Sequence, residues 1–253
     1  MGALPGGRNG RYPRAFRPVA GARRPYPRTS SRLPWRGVPV PSDSGLVAQV
    51  DPATTVLLTV ECQRGVVGAD SALPELAEVA RTSGALVRIA RLVGAAHEAG
   101  VQVLHAVAER RPDGRGASSN ARLFRAAERL PVRQLTGSTA VRVADPIPVA
   151  EEDLVVRRLH GLSPLAGTDV DALLRNFGCR TLVVTGVSAN VAIPNAVFDA
   201  VNLGYTVVVP ADAIAGVPAD YTPAMVRNTL SLVATITTAD AVLDCWRRPR
   251  RTR

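Results

Sequence analysis

No lysine occurs among the 253 residues, so each of the 31 basic side chains is an arginine. Schiff-base chemistry and a lysine general base are thereby excluded, because a guanidinium does not usefully deprotonate. The three cysteines, Cys62, Cys179 and Cys245, are odd in number, scattered and too few for a disulfide scaffold. Aromatic residues make up only 4%, so the core must be built from Val, Leu, Ala and Ile. No apolar run approaches the roughly 18 residues that a membrane-spanning helix needs. Also missing are a Gly-x-Ser-x-Gly elbow, a phosphate-binding loop and the Gly-x-Gly-x-x-Gly dinucleotide fingerprint. None of the histidines, His97, His105 and His160, makes a metal-ligand spacing, so no metal and no cofactor is expected.

What is present is ordinary for a soluble globular protein, with 46% hydrophobic and 21% charged residues. The net charge of +10 suggests nucleic acid at first sight, but its distribution argues otherwise. Residues 1–40 hold nine arginines and no acid, and residues 247–253 hold five arginines and no acid. The segment between has 17 arginines against 21 acids, a net charge of −4. Residues 1–44, broken up by eight prolines, read as an Arg/Pro-rich disordered tail and 247–253 as a basic C-terminal tail. Residues 45–246 read as the folded domain. Nucleic acid is an expected partner only through the tails. Arg23–Arg24 lacks the apolar stretch of a twin-arginine export signal, and the expected compartment is the cytoplasm.

From Asp51 onward, short β-branched apolar runs alternate with segments of helical spacing. Strands are expected over 55–60, 101–107, 154–157, 181–185, 205–209 and 234–238. Helices are expected over 73–99 (with a break at 82–84), 120–130, 170–177, 190–203, 223–232 and 239–246. This alternation specifies a three-layer α/β/α doubly wound fold around a mostly parallel six-stranded sheet. Ligands bind such sheets beyond the carboxyl ends of the strands, which points to 61–63, 109–111, 158–163 and 186–192.

Glu61 follows the first strand, where apolar neighbours would favour its action as a general acid. Ser188, Asn190 and Val191 sit in the turn that opens a helix, whose free amides suit an anion or an oxyanion. The plainer role for Ser188 or Asn190 is a helix cap. Arg110, Arg111 and Arg115 lie in a Gly-containing stretch that could hold an acidic substrate or simply be solvated. His160 lies near the expected site, and His105 reads as a core residue with satisfied hydrogen bonds. Cys62 should point to the other side of its strand from Glu61 and is a poor nucleophile.

The stretch SPLAGTDVDALLRNFGCRTLVVTGVSANVAIPNAVFDAVNLGYTVVVPADAIAG, residues 163–216, resembles the isochorismatase-like hydrolase superfamily. That superfamily includes nicotinamidases and N-carbamoyl amidohydrolases, and the resemblance extends over residues 51–246. It implies an Asp–Lys–Cys triad. The acid position is Glu61 in Glu61-Cys62-Gln63. The lysine position, counted back from Ser163, is Leu159 with Arg158 adjacent. The nucleophile position is Ala192. Two triad members are thus substituted, and no thiolate is available to form an acyl-enzyme.

The family's isochorismatase branch hydrolyses a vinyl ether with the acid as proton donor and no covalent intermediate. The resemblance therefore implies a hydrolase of a small carboxylated metabolite, with Glu61 as acid or base. Gln63, Arg110, Arg158, His160, Ser188, Asn190 and Val191 are expected around the ligand. The alternative is an inactive member that binds a metabolite or serves as a scaffold or regulator. A homo-oligomer, dimer or tetramer, is also implied by resemblance, and no membrane partner is expected.

Overall fold

The computed structural model describes residues 43–248. Apart from residues 43, 44, 247 and 248, the two expected tails lie outside these residues. The chain opens with α1 (Asp43–Gln49) and then enters the first strand, β1 (Thr55–Val60). The turn after it holds a short helix, α2 (Arg64–Val67), for which the sequence has no pattern of sufficient length. Next come α3 (Pro74–Thr82) and α4 (Ala85–Ala99), broken where expected. Gly84 sits at the break with φ of 75°, a backbone state most side chains resist.

The strands β2 (Gln102–Ala108) and β3 (Leu154–Arg158) follow, separated by a long connection that carries α5 (Arg122–Ala127). The second half runs α6 (Val170–Asn176), β4 (Thr181–Val187), α7 (Ala192–Asn202) and β5 (Thr206–Pro210). It finishes with β6 (Ile214–Ala215), α8 (Thr222–Asn228), β7 (Thr235–Thr237) and α9 (Ala239–Trp246). The six expected strands are present. The seventh, β6, is two residues long and pairs with the far end of β4, too short to leave a periodic signature.

All strand pairs are parallel, in the order β3-β2-β1-β4-β5-β7. Alternation along each strand splits the core into two layers. Leu57, Val183 and Val208 pack with α1, α3, α4 and α9 on one face. Val56, Leu58, Leu182, Val184 and Val207 pack with α6, α7 and α8 on the other. Trp246 closes the first layer, its indole N–H donating to the Val50 carbonyl at 3.0 Å. No helix among the described residues is long and apolar enough to cross a membrane.

The chain builds outward from β1 to β3 on one side, then crosses to β4 and builds outward on the other. The switch between β1 and β4 opens a crevice at their carboxyl ends, which is where sheets of this order bind ligands. β1 and β4 also approach unusually closely there. A Cβ on Gly186 would lie 2.2 Å from the Val60 carbonyl oxygen, so this position requires glycine.

Candidate active site

Glu61, the residue after β1, has φ of 52°, a left-handed backbone state in which a glutamate is uncommon. Its amide is tied to the Ala106 carbonyl at 2.8 Å, so the β2 backbone helps hold this turn. Non-glycine residues kept in such states cost about 1–3 kcal/mol and cluster at functional sites. The turn aims the carboxylate into a cavity of about 180 Å³ at the carboxyl edge of the sheet.

Arg158, the last residue of β3, reaches the same place. Its Nη2 donates to Glu61 Oε1, and more weakly to the Leu162 carbonyl at 3.4 Å. The arginine side chain is 6% exposed and the glutamate 20%, so the pair forms a half-covered floor open on the glutamate side. Leu159, at the position counted for the lysine, is an apolar wall of the cavity. The cation that meets the acid is therefore contributed one residue earlier.

Ala192 is the first residue of α7 and its methyl group lines the cavity, together with Val191 and Ser188. First-turn amides of a helix have no partner within it and carry partial positive charge. The opening of α7 thus presents the Ala192 methyl group to the cavity. The Val187–Ser188 peptide just before it is cis.

Two residues expected around the ligand serve the backbone instead. Gln63 is fully buried, and its amide group makes two 2.8 Å bonds to the Ala108 backbone, one donated and one accepted. It extends the pairing of β1 with β2 beyond the last strand residue, and it does not line the cavity. Asn190 donates to the Val217 carbonyl at 2.9 Å and is likewise absent from the wall. Both positions lie in the right segments, but their side chains find carbonyls nearer than any ligand.

His160 lines the cavity without a recorded contact to Glu61. Arg110 lines it as well, paired with Glu128 at 3.0 Å. Arg111 turns outward to Asp113 at 2.8 Å, and neither it nor Arg115 reaches the cavity. The expected arginine-rich cover thus reduces to Arg110.

Most of the remaining wall is apolar: Leu123, Phe124 and Ala127 from α5, Leu130 after it, and Leu73 and Leu76 from the α3 side. A second carboxylate, Glu109, follows β2 as Glu61 follows β1, and it is 8% exposed. Its Oε1 accepts from the Thr136 hydroxyl at 3.1 Å, and its Oε2 is buried without a hydrogen bond, 3.7 Å from Arg157. The sequence signal for Glu109 is its place in a strand-end segment. The apolar wall leaves no such signal, because α5 shows its residues to the cavity only once the long β2–β3 connection has folded over the edge.

Cys62 belongs to the opposite core layer from Ala192 and also from Val60, because the left-handed turn at Glu61 breaks the alternation of β1. Burial, and then the charge of Glu61, push its thiol up to about 12. A thiol in that state is neither nucleophile nor ligand at neutral pH. Among the described residues no group of three or more His, Cys, Asp and Glu could hold a metal ion.

Solved structures share this architecture. A cysteine hydrolase from Pseudomonas syringae pv. phaseolicola superposes with a TM-score of 0.68 at 22% identity, covering 78% of this chain and 94% of that one. An isochorismatase family protein from Desulfovibrio vulgaris gives 0.65 at 25% identity, covering 77% and 99%. In sequence, a ureidoacrylate amidohydrolase from Methylorubrum extorquens is 32% identical over 202 residues, 74% of this chain and 77% of that protein. The isochorismatase domain family itself matches residues 55–241, from the first residue of β1 into α9. Fold, strand-end acid and domain match agree, and the chain belongs to the isochorismatase family.

Proposed function

We propose that this protein is a small-molecule hydrolase that works without a covalent intermediate, with Glu61 moving the proton and water as nucleophile. The observation that carries the reading is the division of labour on one carboxylate. Arg158 holds Oε1, and no partner is recorded for Oε2 among the described residues, while Ala192 offers only a methyl group nearby.

An acceptor oxygen held in place beside a cavity suits a water molecule. Oε2 takes a proton from water as the water oxygen bonds to an electrophilic carbon. The carboxyl then returns that proton to the leaving atom as the second bond breaks. Arg158 keeps the carboxylate oriented, the role the family's lysine would have. The Ala192 amide, at the opening of α7, favours negative charge developing on the substrate oxygen, since those of Ile193 and Asn195 are bonded to Ser188 and Val191 and Pro194 has none. Of the acid and base roles expected for Glu61, this reading takes the base role first, with the Arg158 guanidinium as its immediate neighbour. The curated relatives are named as amidohydrolases, which supports hydrolysis at a carbonyl carbon.

The test is turnover by the purified chain on mixed esters, amides, ureides and vinyl ethers, followed by NMR in H2(18)O. Expected is one labelled oxygen in the product, no mass shift on the protein, and loss of turnover in Glu61→Gln. A covalent adduct, or turnover that survives Glu61→Gln, overturns the reading. Binding with no turnover of any class would favour a second reading, a ligand-binding member without activity. The grip of Arg158 on Glu61 and the loss of the thiol both suit that alternative.

A further inference from the structure

The charges around the cavity are already matched. Arg158 has Glu61, and Arg110 has Glu128 at 3.0 Å. Glu109 adds a further carboxylate, whose Oε2 is buried without a hydrogen bond and lies 3.7 Å from Arg157. Among the described residues on the wall, no arginine is left without a carboxylate of its own. Most of the rest of the wall is leucine, phenylalanine, valine and alanine, with Ser118, Gln134, His160 and Ser188 as its other polar side chains.

We propose that the cavity selects uncharged molecules with a cyclic or branched apolar body and turns carboxylates away. One polar group of the ligand meets Glu61 and Arg158, and the body lies against Leu76, Leu123, Phe124 and Leu159. A carboxylate entering this space gives up its hydration and finds each guanidinium charge already balanced by a carboxylate. A neutral amide or ester gives up far less, and it can accept from Arg158 while it donates to, or shares water with, Glu61. The resemblance implied a carboxylated ligand, and the pairing of both arginines favours an uncharged one. The inference deepens the hydrolase reading and rests on the same Glu61–Arg158 floor.

The experiment is calorimetric titration of the full chain at pH 8, above the range in which histidine titrates. The probes are cyclohexanecarboxamide and phenylacetamide against cyclohexanecarboxylate and phenylacetate. The amides are expected to bind at least about tenfold more tightly than the matched carboxylates. Glu61→Gln frees Arg158 of its counter-ion, so carboxylate affinity should rise about tenfold and the preference should narrow or reverse. Leu123→Asp, on the apolar wall away from the charged pair, should weaken both amides. Carboxylates that bind the native chain as well as the amides overturn the proposal, as does failure of both amides to bind at millimolar concentration. Amides bound, with no turnover of any ester, amide, ureide or vinyl ether, would leave it standing and remove the hydrolase reading. Turnover of a carboxylate-bearing amide or ester in preference to its uncharged counterpart would do the reverse.

Discussion

Asp153 and Glu61 are carboxylates at opposite ends of neighbouring parts of one sheet, and they are used differently. Asp153, just before β3, is 2% exposed. Its Oδ1 meets His97 Nε2 at 2.8 Å, and its Oδ2 meets His105 Nε2 at 3.3 Å and the Ala150 amide at 2.8 Å. The other nitrogen of His105 lies 2.7 Å from the Thr59 hydroxyl. With Nε2 donating to Asp153, Nδ1 accepts from Thr59, and a neutral imidazole satisfies both. No buried side-chain polar atom in this cluster lacks a partner. Glu61 has one oxygen held and one open, beside a cavity. A saturated network is a structural tie, and an unsaturated group on a wall is a candidate for chemistry.

The comparison can be broken in four ways. The largest effect belongs to Glu61→Gln, which should lower turnover at least about 100-fold, the usual scale for a proton-transfer group. Steady-state kinetics on any substrate found checks it. Loss of less than fivefold would place the chemistry elsewhere.

Asp153→Ala should act on stability instead, costing about 3 kcal/mol because two histidines and an amide lose their acceptor. Urea unfolding measures the loss, and amide binding in the cavity should stay unchanged under native conditions. A large loss of binding without loss of stability would contradict the division drawn here.

A smaller effect is expected from acid. Burial lowers the pKa of His105 below its ordinary 6.5, although Asp153 pulls the other way. The unfolded chain therefore binds the proton first as pH falls. Stability contributed by neutral His105 should be complete above pH 6.5 and decline below it, by at most about 1.4 kcal/mol per pH unit. The urea midpoint between pH 7 and 5 should fall less steeply in His105→Gln than in the native chain. Equal slopes would show that His105 is not the group responsible.

The smallest effect is that of thiol reagents. With the Cys62 thiol at about 12 and that of Cys179 raised by burial to about 11, iodoacetamide at pH 7.5 should leave binding and turnover unchanged. Inactivation that tracks labelling of Cys62, located by peptide mass spectrometry, would show that its burial has been misjudged.

Most of the fold was legible because periodicity reports burial directly. The run Thr55–Val60 is buried at every position, as a continuous apolar strand between two layers must be. The break at 82–84 was readable from Gly84, and the two short elements α2 and β6 were not, having too few residues to show a period. The candidate site was legible only as segments. Glu61, Arg158, His160, Ser188, Val191, Leu159, Ala192 and Arg110 do line one cavity. Gln63 and Asn190, read as ligand contacts, are consumed by the carbonyls of Ala108 and Val217. Sequence spacing places a side chain at an edge and says nothing of the rotamer it takes there.

The sequence by itself determined the parallel sheet, the carboxyl edge as the candidate place for a ligand, and the absence of any lysine. These follow from residue identity and local period, which need no knowledge of distant partners. Tertiary structure alone decided that Arg158 and not the next residue meets Glu61, that Glu109 joins the same wall, and that α5 roofs the cavity with apolar side chains. Those contacts join residues 48 to 97 positions apart. They depend on the order β3-β2-β1 bringing three strand ends side by side, a non-local fact that no window of sequence contains.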